Sequence, residues 1–192
     1  MAFLKNEMRR LIGVMLSIGL LASGNSVSAQ NLVSNPDFDN DFLDWTNFFP
    51  SQISISRTMD FRTPESTAIR SMQIDSAESG TPHIAFAVQC VDVHEQFVYV
   101  ATAEVNSHCP GQQFYLFWAD ASCTAGDSML AQSTRPDEWE RLTITAQAPL
   151  GTQKALVVLE NPATCAGSAY FDAITLQLDA IFSDGFEEPT PP

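Results

Sequence analysis

The sequence predicts an all-β fold, arranged as a two-sheet antiparallel β-sandwich. Its apolar residues fall into short segments that are rich in β-branched and aromatic side chains and often alternate with polar ones. Gly, Pro, Asn and Ser separate these segments at short intervals, which is typical of the turns between antiparallel strands. No segment shows the apolar spacing of a long helix, so a parallel α/β fold is not indicated.

The strands are expected to follow one another with only short connections. We predict them at residues 52–57, 69–74, 83–93, 97–105, 113–119, 128–131, 140–146, 154–160 and 170–178. Alternate positions are apolar in most of them, so one face of each strand should point into the core. The segment 128–131 has only a weak pattern. The residues predicted to face inward include Met72, Ile74, Tyr99, Ala101, Ala103, Val105, Leu142 and Ile144.

The segment 113–119 differs from the others because it is apolar on both faces. Phe114, Leu116 and Trp118 share one face, and Tyr115 and Phe117 share the other. A strand in a sandwich buries only one face against the second sheet, so it does not need aromatic residues on both. We therefore predict that Tyr115 and Phe117, or else Trp118, bind a ligand. The alternative is that a loop or the C-terminal tail covers the second set.

The two ends of the chain are expected to lie outside the folded domain. Residues 1–29 have a basic start at Lys5, Arg9 and Arg10, a short apolar core and small residues before Gln30, as a secretory signal peptide does. Residues 30–178 form the predicted domain, and 179–192 read as a flexible, acidic, Pro-rich tail. The sequence thus predicts a secreted monomer, extracellular or periplasmic, without a membrane span.

The charge of the chain limits its partners. The formal net charge is −14 at pH 7, and it becomes more negative once the basic residues of 1–29 are removed. Such a surface repels phosphate backbones, so nucleic acid is not an expected partner. A neutral polymer or a divalent cation is compatible with it. The charge is equally consistent with a plain contribution to solubility.

Cys90, Cys109, Cys123 and Cys165 all lie in the part of the chain that is expected to be exported. An even number in an oxidising compartment predicts two disulfides. If consecutive strands are antiparallel, Cys90 and Cys123 come to one end of the sandwich and Cys109 and Cys165 to the other. The expected pairs are therefore Cys90–Cys123 and Cys109–Cys165. The second pair requires the weak segment near Met129 to be a strand.

The sequence contains no recognisable catalytic motif. A nucleophile elbow, a zinc-binding His-Glu-x-x-His segment and a phosphate-binding glycine loop are all absent. Pairs of carboxylates that hydrolyse glycosides cannot be recognised by spacing in a chain with this many acids. A hydrolase is therefore kept only as the third alternative.

Two segments near the ends of the domain resemble a known superfamily. The run from Asn31 to Trp45 begins Asn-Leu-Val-Ser-Asn-Pro-Asp-Phe-Asp, and Ala169 to Leu176 reads Ala-Tyr-Phe-Asp-Ala-Ile-Thr-Leu. These segments resemble the first and last strands of carbohydrate-binding modules with the galactose-binding-like jelly-roll fold. The resemblance implies a jelly-roll sandwich with Trp45 and Trp139 in its core.

The resemblance also implies a structural Ca²⁺ between these two segments. Asp39 and Asp172 stand where the superfamily has metal-binding carboxylates, while Ala173 replaces a second acid of the closing strand. Hard oxygen ligands suit calcium. Asp37, Asp39, Asp41 and Asp44 crowd together, and their charges would repel unless a cation lies among them. The alternative is an acidic turn held by backbone N–H groups.

The sequence therefore predicts a secreted, non-catalytic module that binds a glycan or envelope polysaccharide. The alternative from another class is a structural or protein-interaction module of the cell surface, with the same fold and no sugar site. Binding to immobilised polysaccharides distinguishes the two, and release of reducing ends would identify a hydrolase.

Overall fold

The computed structural model describes residues 30–47, 53–56, 70–76, 85–162 and 167–179. These residues form two five-stranded antiparallel sheets, and no helix occurs among them. The predicted all-β sandwich is confirmed. The predicted signal peptide and nearly all of the C-terminal tail lie outside the described residues.

Ten strands make up the described part of the chain. They are β1 Thr46–Asn47, β2 Ile53–Ser56, β3 Ser71–Ser76, β4 Ala85–Asp92, β5 Val98–Ser107, β6 Gln113–Ala119, β7 Ala125–Gln132, β8 Glu140–Gln147, β9 Lys154–Asn161 and β10 Gly167–Leu178. Each strand predicted between residues 52 and 178 is present. The segment near Met129 is a full strand, β7, and the short β1 was not predicted.

The first sheet has the strand order β1-β4-β9-β6-β7. Neighbouring side chains on a strand point to opposite faces, and β6 follows this alternation from Gln113 to Trp118. Phe114, Leu116 and Trp118 of β6 point into the core and are at most 4% exposed. Tyr115 and Phe117 therefore point away from the core, onto the outer face of this sheet.

The second sheet has the strand order β2-β3-β10-β5-β8. All the residues of β3, β5 and β8 that the alternation predicts to face inward are buried. The long strand β10 pairs with β3 over its first half and with β5 over most of its length. Its register shifts between Asp172 and Thr175, and Ala173 has a positive φ of 50° at this irregularity.

The N-terminal segment runs along β10 beyond the point where β3 stops pairing. Leu32 N–H donates to Leu176 O at 2.8 Å, and Ile174 N–H donates to Pro36 O at 3.1 Å. The Asn31 side chain adds two hydrogen bonds, to Ile174 O and from Leu176 N–H. The segment thereby satisfies backbone groups that the bulged strand would otherwise leave without partners.

Two aromatic residues anchor the turn that follows this segment. Phe38 and Trp45 are buried, and their ring centroids are 5.4 Å apart. The Trp45 indole N–H donates to Asn35 O at 3.3 Å. The prediction that Trp45 belongs to the core is confirmed. Trp139, the other tryptophan expected in the core, is only half-buried.

A disulfide joins Cys90 of β4 to Cys123 in the connection between β6 and β7. This was one of the two predicted pairs and it is confirmed. Cys109 is also disulfide-bonded, and its predicted partner, Cys165, lies outside the described residues. The Cys109–Cys165 pair therefore stays a prediction, which non-reducing peptide mapping would test.

Candidate functional site

The outer face of the first sheet carries a stacked pair of aromatic rings. Tyr115 and Phe117 lie two residues apart on β6, with ring centroids 5.4 Å apart and planes inclined by 28°. Both side chains are partly exposed. Because i and i+2 side chains share one face of a strand, the backbone itself holds the two rings side by side.

Apolar side chains on the neighbouring strands extend this surface. Tyr115 lies opposite Val158 of β9 on one side and Leu130 of β7 on the other. Phe117 lies opposite Leu156 of β9. Leu130 is 47% exposed, so it adds an aliphatic side chain to the accessible part of this face. We call these five residues, which are neighbours on the outer face of three adjacent strands, the aromatic platform.

A polar cluster lies at one end of the aromatic platform. Gln113 of β6 is opposite Glu160 of β9, one step along the sheet from Tyr115. The Tyr115 hydroxyl donates to Gln113 Oε1 and also interacts with the Glu160 carboxyl. Burial raises the pKa of Glu160, and the hydrogen bond from Tyr115 only partly offsets this. Burial and the adjacent Glu160 raise the pKa of Tyr115, so this phenol keeps its proton.

The disulfide-bonded loop closes the opposite end of the aromatic platform. The strand register places Cys90, Leu156 and Phe117 in one row on the outer face. The bond from Cys90 to Cys123 therefore holds the loop 120–124 against this face, and Ala119 is 5% exposed although its position points outward. Within the loop, Asp120 Oδ1 accepts hydrogen bonds from two backbone N–H groups at 2.9 Å.

Trp118 does not belong to the exposed surface. It is 4% exposed and packs against Tyr99 of the second sheet, with ring centroids 6.0 Å apart. Of the two sets of residues that the sequence offered as ligand-binding, the structure therefore leaves Tyr115 and Phe117 accessible and places Trp118 in the core. The sequence could not make this choice, because it shows which residues share a face and not which face is covered.

The acidic N-terminal turn contains one cation among the described residues. Arg70 Nη1 lies 2.6 Å from Asp41 Oδ1 and also donates to the main-chain oxygen of Asp39 at 3.2 Å. The Arg70 side chain is mostly buried, while that of Asp41 is 77% exposed. Arg70 thus supplies part of the positive charge that the crowded acids were predicted to need.

The two predicted calcium ligands occupy different environments. Asp172 is fully buried, and its Oδ1 accepts a hydrogen bond from Ala173 N–H at 2.8 Å. Asp39 is exposed. Over the described ranges, no three His, Cys, Asp or Glu side chains come together as a metal cluster. A calcium ion here would depend on two carboxylates together with backbone carbonyl groups, and calcium stays a prediction.

One pair of acids lies in direct register on the second sheet. Asp172 of β10 is opposite Glu104 of β5, whose Oε1 is 2.5 Å from Arg141 Nε. Asp172 is 0% exposed and Glu104 is 7% exposed. A polysaccharide cannot reach carboxyl groups that are buried in this way, so this pair does not resemble the accessible acids of a glycosidase.

Comparisons by sequence give no match: no protein-family model fits the chain, and no curated protein sequence is significantly similar. Comparison with solved structures finds many similar chains. The carbohydrate-binding module TmCBM61, in complex with beta-1,4-galactotriose, has a TM-score of 0.57 at 17% identity; the match covers 79% of this chain and all of that one, 100%. The CBM22-1 xylan-binding domain of Paenibacillus barcinonensis Xyn10C has a TM-score of 0.53 at 15% identity. This match covers 78% of this chain and 95% of the xylan-binding domain.

A third similar structure is part of a much larger chain. The enzymatically active domain of bacteriophage CBA120 tailspike protein 4 has a TM-score of 0.63 at 12% identity. The match covers 78% of this chain and only 21% of the tailspike chain. At such low identities these similarities establish the fold alone. The chain thus has the fold of carbohydrate-binding modules, as the two terminal segments of the sequence implied.

Proposed function

We propose that this chain is a secreted, non-catalytic module that binds a glycan through the aromatic platform. The observation that carries the proposal is the stacked, partly exposed pair Tyr115 and Phe117 on the outer face of the first sheet. Two similar structures that are matched over 100% and 95% of their length are a carbohydrate-binding module and a xylan-binding domain, which supports binding rather than catalysis.

The chemistry of the aromatic platform suits a sugar chain. A pyranose ring presents a flat face of C–H groups, which buries well against an aromatic ring. Its hydroxyl groups need polar partners at the edge of that surface, and such groups fix the orientation of a bound ligand. Gln113, Glu160 and the Tyr115 hydroxyl provide donors and acceptors next to the rings.

A protein-interaction module is the competing explanation for the same surface. An exposed apolar patch that includes Leu130 would also suit a protein partner. Sugars gain most of their contact from the ring faces, whereas a protein partner would also bury the aliphatic side chains around them. The relative contributions of Tyr115, Phe117 and Leu130 therefore separate the two functions.

Binding to soluble polysaccharides tests the proposal. We would measure retardation in native gels that contain xylan or β-1,4-galactan, the two polymers to which the similar structures point, followed by a wider glycan array. Tyr115→Ala and Phe117→Ala should each weaken binding about 2- to 12-fold, since one stacked ring contributes about 0.5–1.5 kcal/mol beyond its buried area. Leu130→Ala should have a smaller effect.

Tyr170→Ala is the matched control, because Tyr170 is a partly exposed aromatic residue on the outer face of the second sheet. It should leave glycan binding unchanged. Thermal melts of every variant would show that the fold is intact. If the wild-type protein binds no glycan on the array, or if Tyr170→Ala weakens binding as much as Tyr115→Ala, the proposal is wrong.

Secretion is part of the same proposal. The Cys90–Cys123 disulfide is consistent with an oxidising compartment, and residues 1–29 have the pattern of a signal peptide. Across the described residues, no helix is long and apolar enough to cross a membrane. Fractionation of the producing cells, with detection of a chain that begins at Gln30, would test export and cleavage together.

A further inference from the structure

Within the part of the chain that the structure describes, Glu160 is the acid that contacts Tyr115 at the edge of the aromatic platform. It lies on β9, two residues from Val158, which is directly opposite Tyr115. Diagonal neighbours on an antiparallel pair are about 7 Å apart, within reach of long side chains. A sugar ring stacked on Tyr115 would therefore bring the substituents on its edge to the Glu160 carboxyl.

Among the described residues, no basic side chain pairs with the Glu160 carboxyl. The lysine on the same strand, Lys154, lies at the far end of the face and is paired with Asp92 at 2.5 Å. The residues opposite Glu160 on β4 and β6 are Phe86 and Gln113, which carry no charge.

The ionised form of Glu160 is unfavourable in the folded protein. Burial raises the pKa of Glu160, and the hydrogen bond with Tyr115 does not fully compensate. A hydrogen bond from a cationic donor would favour the ionised form and would be stronger than one from a neutral sugar hydroxyl. The strongly negative chain, at −14, would also attract a cationic polymer over a long range.

We propose, resting on the glycan-binding function above, that the aromatic platform prefers amino sugars: a polysaccharide whose sugar rings carry a free, protonated amine that hydrogen-bonds to Glu160. Tyr115 and Phe117 stack on the ring faces, and the Glu160 carboxylate selects the amine. An N-acetylated or a neutral sugar offers only uncharged groups at this position. Uronic acid polymers are disfavoured because their carboxylates would face Glu160.

The affinity for an amino sugar should depend on pH, and the direction of the change follows from the two ionisable groups involved. Glu160 must be ionised and the amine protonated, so affinity rises as pH increases through the raised pKa of Glu160 and falls when the sugar amine loses its proton. Tyr115 is the only other titratable group among the described residues that faces Glu160, and its raised pKa keeps it neutral throughout this range.

Calorimetric titration of the wild-type protein with three oligosaccharides of equal length provides the test. The probes are β-1,4-linked glucosamine hexaose, its fully N-acetylated form and xylohexaose. We expect the free amino form to bind about tenfold more tightly than the other two at pH 6 in 150 mM salt. Glu160→Gln should remove this difference, so that the three probes bind with similar affinity.

Glu138→Gln is the matched control, because it makes the same charge change at an exposed residue outside the aromatic platform. It should preserve the preference. Equal loss in both variants would mean that only net charge attracts the amine, and equal affinity of the wild-type protein for all three probes would overturn the inference while leaving glycan binding intact. Failure to bind any glycan would instead reject the proposed function.

Discussion

Gln89 shows how much a single buried side chain holds in place. It is 4% exposed, its Nε2 donates to Ser34 O at 2.9 Å, and its Oε1 accepts from Ser34 N–H at 2.7 Å. It therefore binds the N-terminal segment to β4 as another strand would. A leucine here would leave both backbone groups of Ser34 without these partners.

We expect Gln89→Leu to lower the free energy of unfolding by about 1–3 kcal/mol, because two partly buried hydrogen bonds are lost and each contributes about 0.5–1.5 kcal/mol. Urea unfolding would measure this change, and hydrogen exchange at Ser34 should accelerate. Gln132→Leu, at an exposed position of β7, should stay within about 0.5 kcal/mol of the wild type. Equal stability of the two variants would contradict the role assigned to Gln89.

Glu160 should cost stability in the absence of a ligand. Burial raises its pKa in the folded protein, so the folded state holds this proton more tightly than the unfolded chain does. Stability is then lost as pH rises from the unfolded pKa through the raised folded pKa. We expect Glu160→Gln to raise Tm by a few degrees at pH 7 and to have little effect at pH 3, measured by calorimetry; a lower Tm at pH 7 would contradict the assignment.

The predicted calcium site in the N-terminal turn can be tested through its single residues. Burial and the adjacent Asp39 raise the pKa of Asp37, so this turn still holds like charges close together. If calcium lies among them, EDTA should lower Tm by several degrees and added Ca²⁺ should restore it, because a ligand that binds only the folded state stabilises it. Asp39→Asn should abolish the response, whereas Asp127→Asn should not. An unchanged Tm after EDTA would mean that Arg70 and backbone groups hold the turn alone.

Sequence could predict which residues share a face, but not what lies over each face. The alternation on β6 separated Tyr115 and Phe117 from Trp118, and only the position of the second sheet decided which set is accessible. Glu160 was missed because nothing within its own strand distinguishes it. Its proximity to Tyr115 comes from the register of β6 against β9, which involves residues far apart in the chain.

At the scale of elements, the disulfide joins two parts of the outer face. Cys90 and Cys123 are separated by 33 residues. For a loop of this length the chain-entropy model gives about 3.5–4 kcal/mol. We expect the double change Cys90→Ser and Cys123→Ser to lower the free energy of unfolding by roughly this amount, measured with urea. A loss below about 1 kcal/mol would mean that the loop 120–124 is held by its own hydrogen bonds.

The strands were predictable because a sandwich strand repeats every two residues, and this period is visible in the sequence. The short β1 was not predicted, and the N-terminal segment, expected to hold a first short strand that ends at Asn35–Pro36, forms no strand among the described residues. Pro36 removes a donor, and Asn35 and Phe38 both have positive φ values, so the local pattern resembles a series of turns. Their pairing with β4 and β10 is a tertiary contact without a local signal.

For the whole molecule, the two-sheet architecture was easier to predict than which outer face binds a ligand. Two sheets with one shared core follow from the alternation, whereas the outer faces are free to vary once the core is complete. The structural similarity to carbohydrate-binding modules therefore supports the architecture, and the aromatic platform has to be tested on its own residues.

The contact between Asn31 and Ile174 joins residues that are 143 positions apart. The segment that is synthesised first in the domain therefore cannot complete its hydrogen bonds until the strand that is synthesised last has left the ribosome. Partial chains lack the partner that completes the second sheet. Such a chain would therefore remain open for most of its synthesis and close only when its last strand is complete.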